Sequence, residues 1–135
     1  MKNIYLRKAL ILALMIPIVL LGQYLNEVYR PKAYTGEGMN LFIAGSASGF
    51  FTLILMVLLY QLFRKRHSVK QLRKDILFIG VFYNAIEVLS LFSSRWFGTF
   101  DIMDIVAYSL ATGLMYLMAN LLFKKTSSTN DVIFK

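Results

Sequence analysis

The sequence predicts an all-α membrane protein, a compact bundle of four transmembrane helices with both termini cytoplasmic, and three observations carry that prediction. First, the 135 residues are 58% hydrophobic and only 16% charged, with a mean hydropathy of +0.60. A soluble domain carries about 45–50% apolar and about 25% charged residues. Second, four apolar runs approach or exceed the roughly 17–25 helical residues needed to cross about 30 Å of hydrocarbon. Third, the basic residues cluster on one side of those runs. At this length there is room for a single domain, residues 1–135.

The first run is unbroken over 9–21, and Gly22 to Leu25 extend it to a span of 9–25. Pro17 lies within it and predicts a kink, which a membrane helix tolerates when neighbours satisfy the freed carbonyl. A basic start followed by an apolar run also resembles a secretory signal, but no small-x-small cleavage pattern follows, so an uncleaved helix is expected. The second span covers 41–63 and is interrupted only by small residues and Gln61. The third, 76–92, carries Asn84, Glu87 and Ser90. The fourth, 102–123, carries Asp104, Ser109, Thr112 and Asn120. Backbone groups in hydrocarbon must be satisfied within the segment, and none of the runs alternates like a barrel strand, so all four read as helices. The segment 26–40, with Pro31, Gly36 and Gly38, reads as an irregular or partly ordered outer loop. Residues 64–75 read as a basic inner loop beside the anionic leaflet, and 126–135 as a short mobile tail.

Orientation follows from charge. Of the fifteen Lys and Arg residues, all but Arg30, Lys32 and Arg95 fall on one side of the four spans. That side is cytoplasmic by the positive-inside rule. Tyr24, Tyr29 and Trp96 on the outside and Tyr60 on the inside suit interfacial positions.

Ionisable groups inside spans are costly, so Glu87 and Asp104 are the functional candidates. Opposite helix directions bring them to similar depth, and the short turn between their helices holds Arg95. Glu87, Arg95, Asp101 and Asp104 should converge at the outer face. Asn84 and Glu87 share a helix side, and Asp104, Tyr108, Ala111 and Met115 form one stripe. Gly45 and Gly49 make a G-x-x-x-G suited to close helix packing. Asp101 can also act as a helix cap with Asp104 at the third helical position, both favoured by the dipole. For Glu87 three readings stay open: pairing with Arg95, a protonated carboxyl, or a group poised for a ligand or a proton.

No catalytic site is expected. The chain has no cysteine and one histidine, His67 in the basic loop, which removes thiolate chemistry and leaves no ligand set for zinc. Nothing supplies a nucleophile with its base. The Gly45 to Gly49 stretch lacks the lysine of a phosphate loop. Neither a cofactor nor a metal is called for, and nucleic-acid binding, resting on inner-loop charge alone, is rejected.

The stretch Glu87-Val-Leu-Ser-Leu-Phe, then Arg95, then Phe100-Asp101-Ile-Met-Asp104-Ile, resembles the VanZ-like membrane family. That pattern places a Glu near one helix end, an Arg in the turn, and an Asp-x-x-Asp-like opening of the next helix. Glu87, Arg95, Asp101 and Asp104 match it. Ser90, Tyr108, Ala111 and Met115 stand where the family has a Gln, an Asn and glycines. The resemblance implies a non-enzymatic protein of the bacterial cell envelope associated with low-level resistance to teicoplanin, a lipid-tailed glycopeptide. Its expected partners are membrane lipids and an amphiphilic envelope ligand. The competing expectations are an accessory or scaffold subunit of a larger membrane complex, and a small four-helix multidrug-type transporter. The transporter type carries its essential Glu in the first helix, where this chain has no acidic residue.

Overall fold

A computed structural model describes residues 2–35, 41–64, 68–93 and 100–123. Helix α1 spans Lys2–Tyr24, runs through a π-helical turn at Leu25–Tyr29 and continues as α2 over Arg30–Tyr34. Helices α3, α4 and α5 cover Leu41–Phe63, Val69–Ser90 and Ile102–Phe123, and the described residues contain no strand. Three stretches, Lys8–Tyr34, Leu41–Phe63 and Ile102–Ala119, are long and apolar enough to cross a membrane. Arg95, His67 and the 126–135 tail lie outside the described residues.

Two boundaries differ from expectation. The supposed outer loop is helical as far as Tyr34. At the π-turn the Arg30 N–H donates to Leu25 O, one residue further back than in an α-helix. The hydrogen-bond ladder thus shifts just ahead of Pro31, which sits in the first turn of α2, where a missing N–H is tolerated. Ala33, only 3% exposed, seats α2 against α3. Likewise most of the expected 64–75 loop is the first part of α4. Ser68, in an extended conformation, caps that helix by accepting a 3.1 Å hydrogen bond from the Gln71 N–H. Ser68 and Gln71 have the Ser-x-x-Gln spacing of a capping box, a start signal that the surrounding lysines and arginines obscured.

Chain length and contacts set the helix directions. A β-carbon added at Gly22 would lie 3.7 Å from Phe51 Cβ, so these two residues mark one level of the α1–α3 contact. Were the helices parallel, Tyr34 and Leu41 would be about 33 Å apart along the axis, beyond the roughly 25 Å that seven residues can span. Helices α1 and α3 are therefore antiparallel. Helices α4 and α5 are also antiparallel, since Glu87 meets Asp101 while Gly80 meets Thr112. Helix α3 runs parallel to α5, with Gly45 beside Met103 and Gly49 beside Ala107.

Helix α5 packs along both α3 and α4, whereas α1 rests chiefly on α3. The arrangement is a three-helix core with a peripheral first helix. Leu53 and Val57 of α3, Ile76 of α4, and Ala111 and Ala119 of α5 fill the centre. Alanines on α5 let its neighbours approach closely, as small residues do in membrane helix packing. Pro17 lies inside α1, which continues beyond it to Tyr24.

Candidate functional site: a carboxylate cluster at the α4–α5 end

The chain leaves α4 at Ser90 and enters α5 at Ile102, and the polar residues gather at that end. Glu87, 8% exposed, faces the start of α5 from the last turn of α4. Its Oε1 accepts a 2.7 Å hydrogen bond from the Asp101 N–H. Asp101 Oδ1 accepts from the Met103 N–H at 2.8 Å, and the Asp104 N–H donates to Asp101 O at 3.1 Å. Asp101 is thus the N-cap of α5 and Asp104 its third residue. In a capping box the third residue would bond back to the cap's own N–H. Here Glu87 of the neighbouring helix takes that donor instead.

That substitution leaves the Asp104 carboxylate to face α3. A β-carbon at Gly49 would sit 2.8 Å from Asp104 Oδ1 and 3.2 Å from Tyr108 Cε1. Gly49 is therefore the space into which Asp104 and Tyr108 fit. Gly45, one turn earlier, lies against Met103. The ring of Tyr108 packs on Tyr83 with centroids 5.1 Å apart. Asn84 is occupied: its Nδ2 donates to Gly80 O at 2.8 Å, and its Oδ1 accepts from Ser109 Oγ at 3.5 Å. Ser90 Oγ turns back to donate to Glu87 O at 2.6 Å.

Glu87, Asp101 and Arg30 all lie within electrostatic range of Asp104. Arg30 comes from the helical extension beyond the π-turn, and sequence reasoning counted it only as an orienting charge. Its signal was faint, because the 26–40 stretch read as a loop with no fixed position. The expected partner Arg95 is outside the described residues. Three carboxylates around one helix N-terminus make an acceptor-rich patch, with the α5 dipole offsetting part of the negative charge. Such a patch takes cationic groups and hydrogen-bond donors. Among the described residues no three His, Asp or Glu side chains are grouped to hold a metal ion.

A second buried polar group was missed at the opposite end. Asp75, 6% exposed, accepts from Gln61 Nε2 at 3.0 Å and Gln71 Nε2 at 3.3 Å, and pairs with Arg64 Nη2 at 3.0 Å. A hydrogen bond with Tyr60, partly offset by burial and reinforced by the charge of Asp75, raises the Arg64 pKa. Arg73 lies over the Tyr116 ring, 4.7 Å from its centroid. The available signal was spacing: Gln71 and Asp75 are one helical turn apart, as are Gln61 and Arg64.

Compared with protein-family models, curated proteins and solved structures, the chain matches none. Fold and site define a class, an all-helical protein with three helices fit to cross a membrane and a carboxylate cluster where two helices meet.

Proposed function

We propose that this is a VanZ-like, non-enzymatic, multi-pass protein of the bacterial cytoplasmic membrane. All four long helices span, both termini are cytoplasmic, and the carboxylate cluster on the outer face engages the polar part of an amphiphilic envelope molecule. The observation that carries the reading is the convergence of Glu87, Asp101 and Asp104 around the start of α5, with Gly49 making room for the third. For α4 to span, Asp75 must enter the inner interface. Its pairing with Gln61, Gln71 and Arg64 supports that, since a carboxylate needs such partners there.

The expected phenotype is selective protection against teicoplanin over vancomycin. The test compares cells expressing wild type with cells expressing a Glu87→Gln, Asp104→Asn double variant at matched membrane levels. Protection that disappears in the variant supports the cluster as the working site, and protection that survives sinks it. The Gln amide oxygen can still accept from the Asp101 N–H, so the cap remains while the charge goes.

A second reading, an accessory or scaffold subunit, is favoured by the placement of α1. Leu6, Leu10, Ile16 and Leu20 of that helix are each at least 57% exposed, a long apolar face available to a larger membrane partner. Co-purification of a stoichiometric partner in mild detergent would favour it over the first.

A further inference from the structure

Helices α1 and α3 do not close against each other along their whole length. Between them runs a groove of about 210 Å³. Its polar lining is Gln23, Asn26, Ser48 and Thr52, and Val19, Phe51 and Leu55 supply apolar walls. By helical rise, Ser48 and Thr52 lie about 10 and about 16 Å along α3 from Leu41, well inside a hydrocarbon core about 30 Å thick. All four polar residues are exposed rather than packed. Among the described residues, hydrogen bonds to other side chains or backbone reach the side chain of Asn26 but not those of Gln23, Ser48 or Thr52. A neutral polar group in hydrocarbon without a partner is unfavourable, and here several converge on one groove.

The local backbone adds an independent observation. Asn26 belongs to the π-turn Leu25–Tyr29, and such single widened turns recur at functional sites. One turn further on, Arg30 Nη1 donates to Asn26 Oδ1 at 3.4 Å, which places a guanidinium at the groove mouth with most of its donors still to use. The groove therefore grades from apolar at Val19 and Leu55, through neutral hydrogen-bonding groups, to a cation at Arg30. A glycerophospholipid has the same order, from acyl chain through ester carbonyls to phosphate.

The order of polarity selects the occupant. A helix of a second copy offers side chains of one repeating period along its whole length, whereas an acyl chain with its ester changes from apolar to hydrogen-bonding along its axis, as this lining does. We propose that this groove binds the ester and proximal acyl segment of one glycerophospholipid, with the phosphate against Arg30. The groove lies between α1 and α3, whereas the carboxylate cluster lies where α4 meets α5. Arg30 stands between the two, within electrostatic range of Asp104.

The test uses the full chain in nanodiscs containing phosphatidylglycerol with a photoreactive diazirine near the acyl carbonyl, and maps adducts by peptide mass spectrometry. Adducts should concentrate on 19–26 and 48–55, at least fivefold over the exposed leucines Leu10, Leu12 and Leu14. A Ser48→Ala, Thr52→Val double variant should lower groove labelling at least threefold. Gly22→Leu, whose β-carbon would sit in ordinary contact with Phe51 and whose longer side chain would fill the groove, should abolish it independently. Arg30→Gln, or diacylglycerol carrying the same probe, should lose the enrichment. Uniform labelling along α1, groove labelling that both groove variants leave intact, or crosslinks to a second copy in place of lipid would overturn the proposal. Equal labelling by diacylglycerol would overturn the phosphate contact. Gly22→Leu and the Ser48→Ala, Thr52→Val variant leave Glu87, Asp101, Asp104 and Arg30 unaltered, so their outcome is distinguishable from the teicoplanin result. Arg30→Gln also alters the field at Asp104 and is read only alongside them.

Discussion

Glu87 accepts its hydrogen bond from a backbone N–H on the next helix, and its carboxylate therefore has a structural task whatever ligand comes near. A capping acceptor of this kind is worth about 1 kcal/mol. Glu87→Ala should accordingly lower thermal stability by about that much in detergent, while Glu87→Gln, which keeps an acceptor, should stay close to wild type. A larger loss in the Gln variant would mean that the charge itself holds α4 and α5 together. The two glycines of α3 give a matched comparison. At Gly49 a methyl group would meet Asp104 Oδ1 at 2.8 Å, whereas at Gly45 the nearest atom, Met103 Cγ, would be 3.5 Å away. Gly49→Ala should cost about 1–3 kcal/mol by overpacking and turn Asp104 out of its place. Gly45→Ala should be neutral or stabilising by up to about 1 kcal/mol through helix propensity. Equal unfolding midpoints for the two variants would contradict the close approach at Gly49.

At the scale of elements, the α3–α4 connection is tied by one buried carboxylate. Asp75 receives donors from the end of α3 and from its own helix, so it fixes where the second helix starts relative to the first. Gln61→Leu is similar in volume and leaves Asp75 Oδ2 without its donor, which should cost about 1–3 kcal/mol. Gln71→Leu removes a longer and less buried bond and should cost less. Thermal unfolding of the two variants side by side decides the order. The same element logic governs the 25–34 segment. The π-turn lets an apolar helix continue past Pro31 and carries Arg30 over the end of α3, where the groove and the carboxylate cluster come nearest each other.

For the whole molecule the proposed orientation can be read chemically, because the chain has no cysteine of its own. A Thr35→Cys variant in intact cells should react with a membrane-impermeant maleimide. Ser68→Cys should react only after permeabilisation. The reverse pattern would invert the topology and put the carboxylate cluster inside, which removes the envelope ligand from reach. Labelling of both positions from outside would mean that α3 does not cross.

Helical class, the limits of α3, the last helix beginning at 102, and the pairing of small residues on α3 with a neighbour were all readable from residue order. Each follows from local properties, apolar run length and the spacing of glycines along one helix. The same holds for Asp101 as the cap of α5, since a cap depends on two or three consecutive residues. Other features were decided only in three dimensions. The helix through 25–34 survives its proline because a π-turn and the burial of Ala33 against α3 outweigh a local breaker. The start of α4 at Val69 had its Ser-x-x-Gln signal, yet the charges around it read as loop until the packing of Leu72 and Asp75 gave them a direction. Glu87 found a donor on another helix, and Asp75 one across a turn, and no periodicity within a single helix specifies a partner on the next. Residue order dictates which segments leave water, because transfer from water is a property of each segment. Packing dictates which polar groups meet, because that depends on how the segments fit.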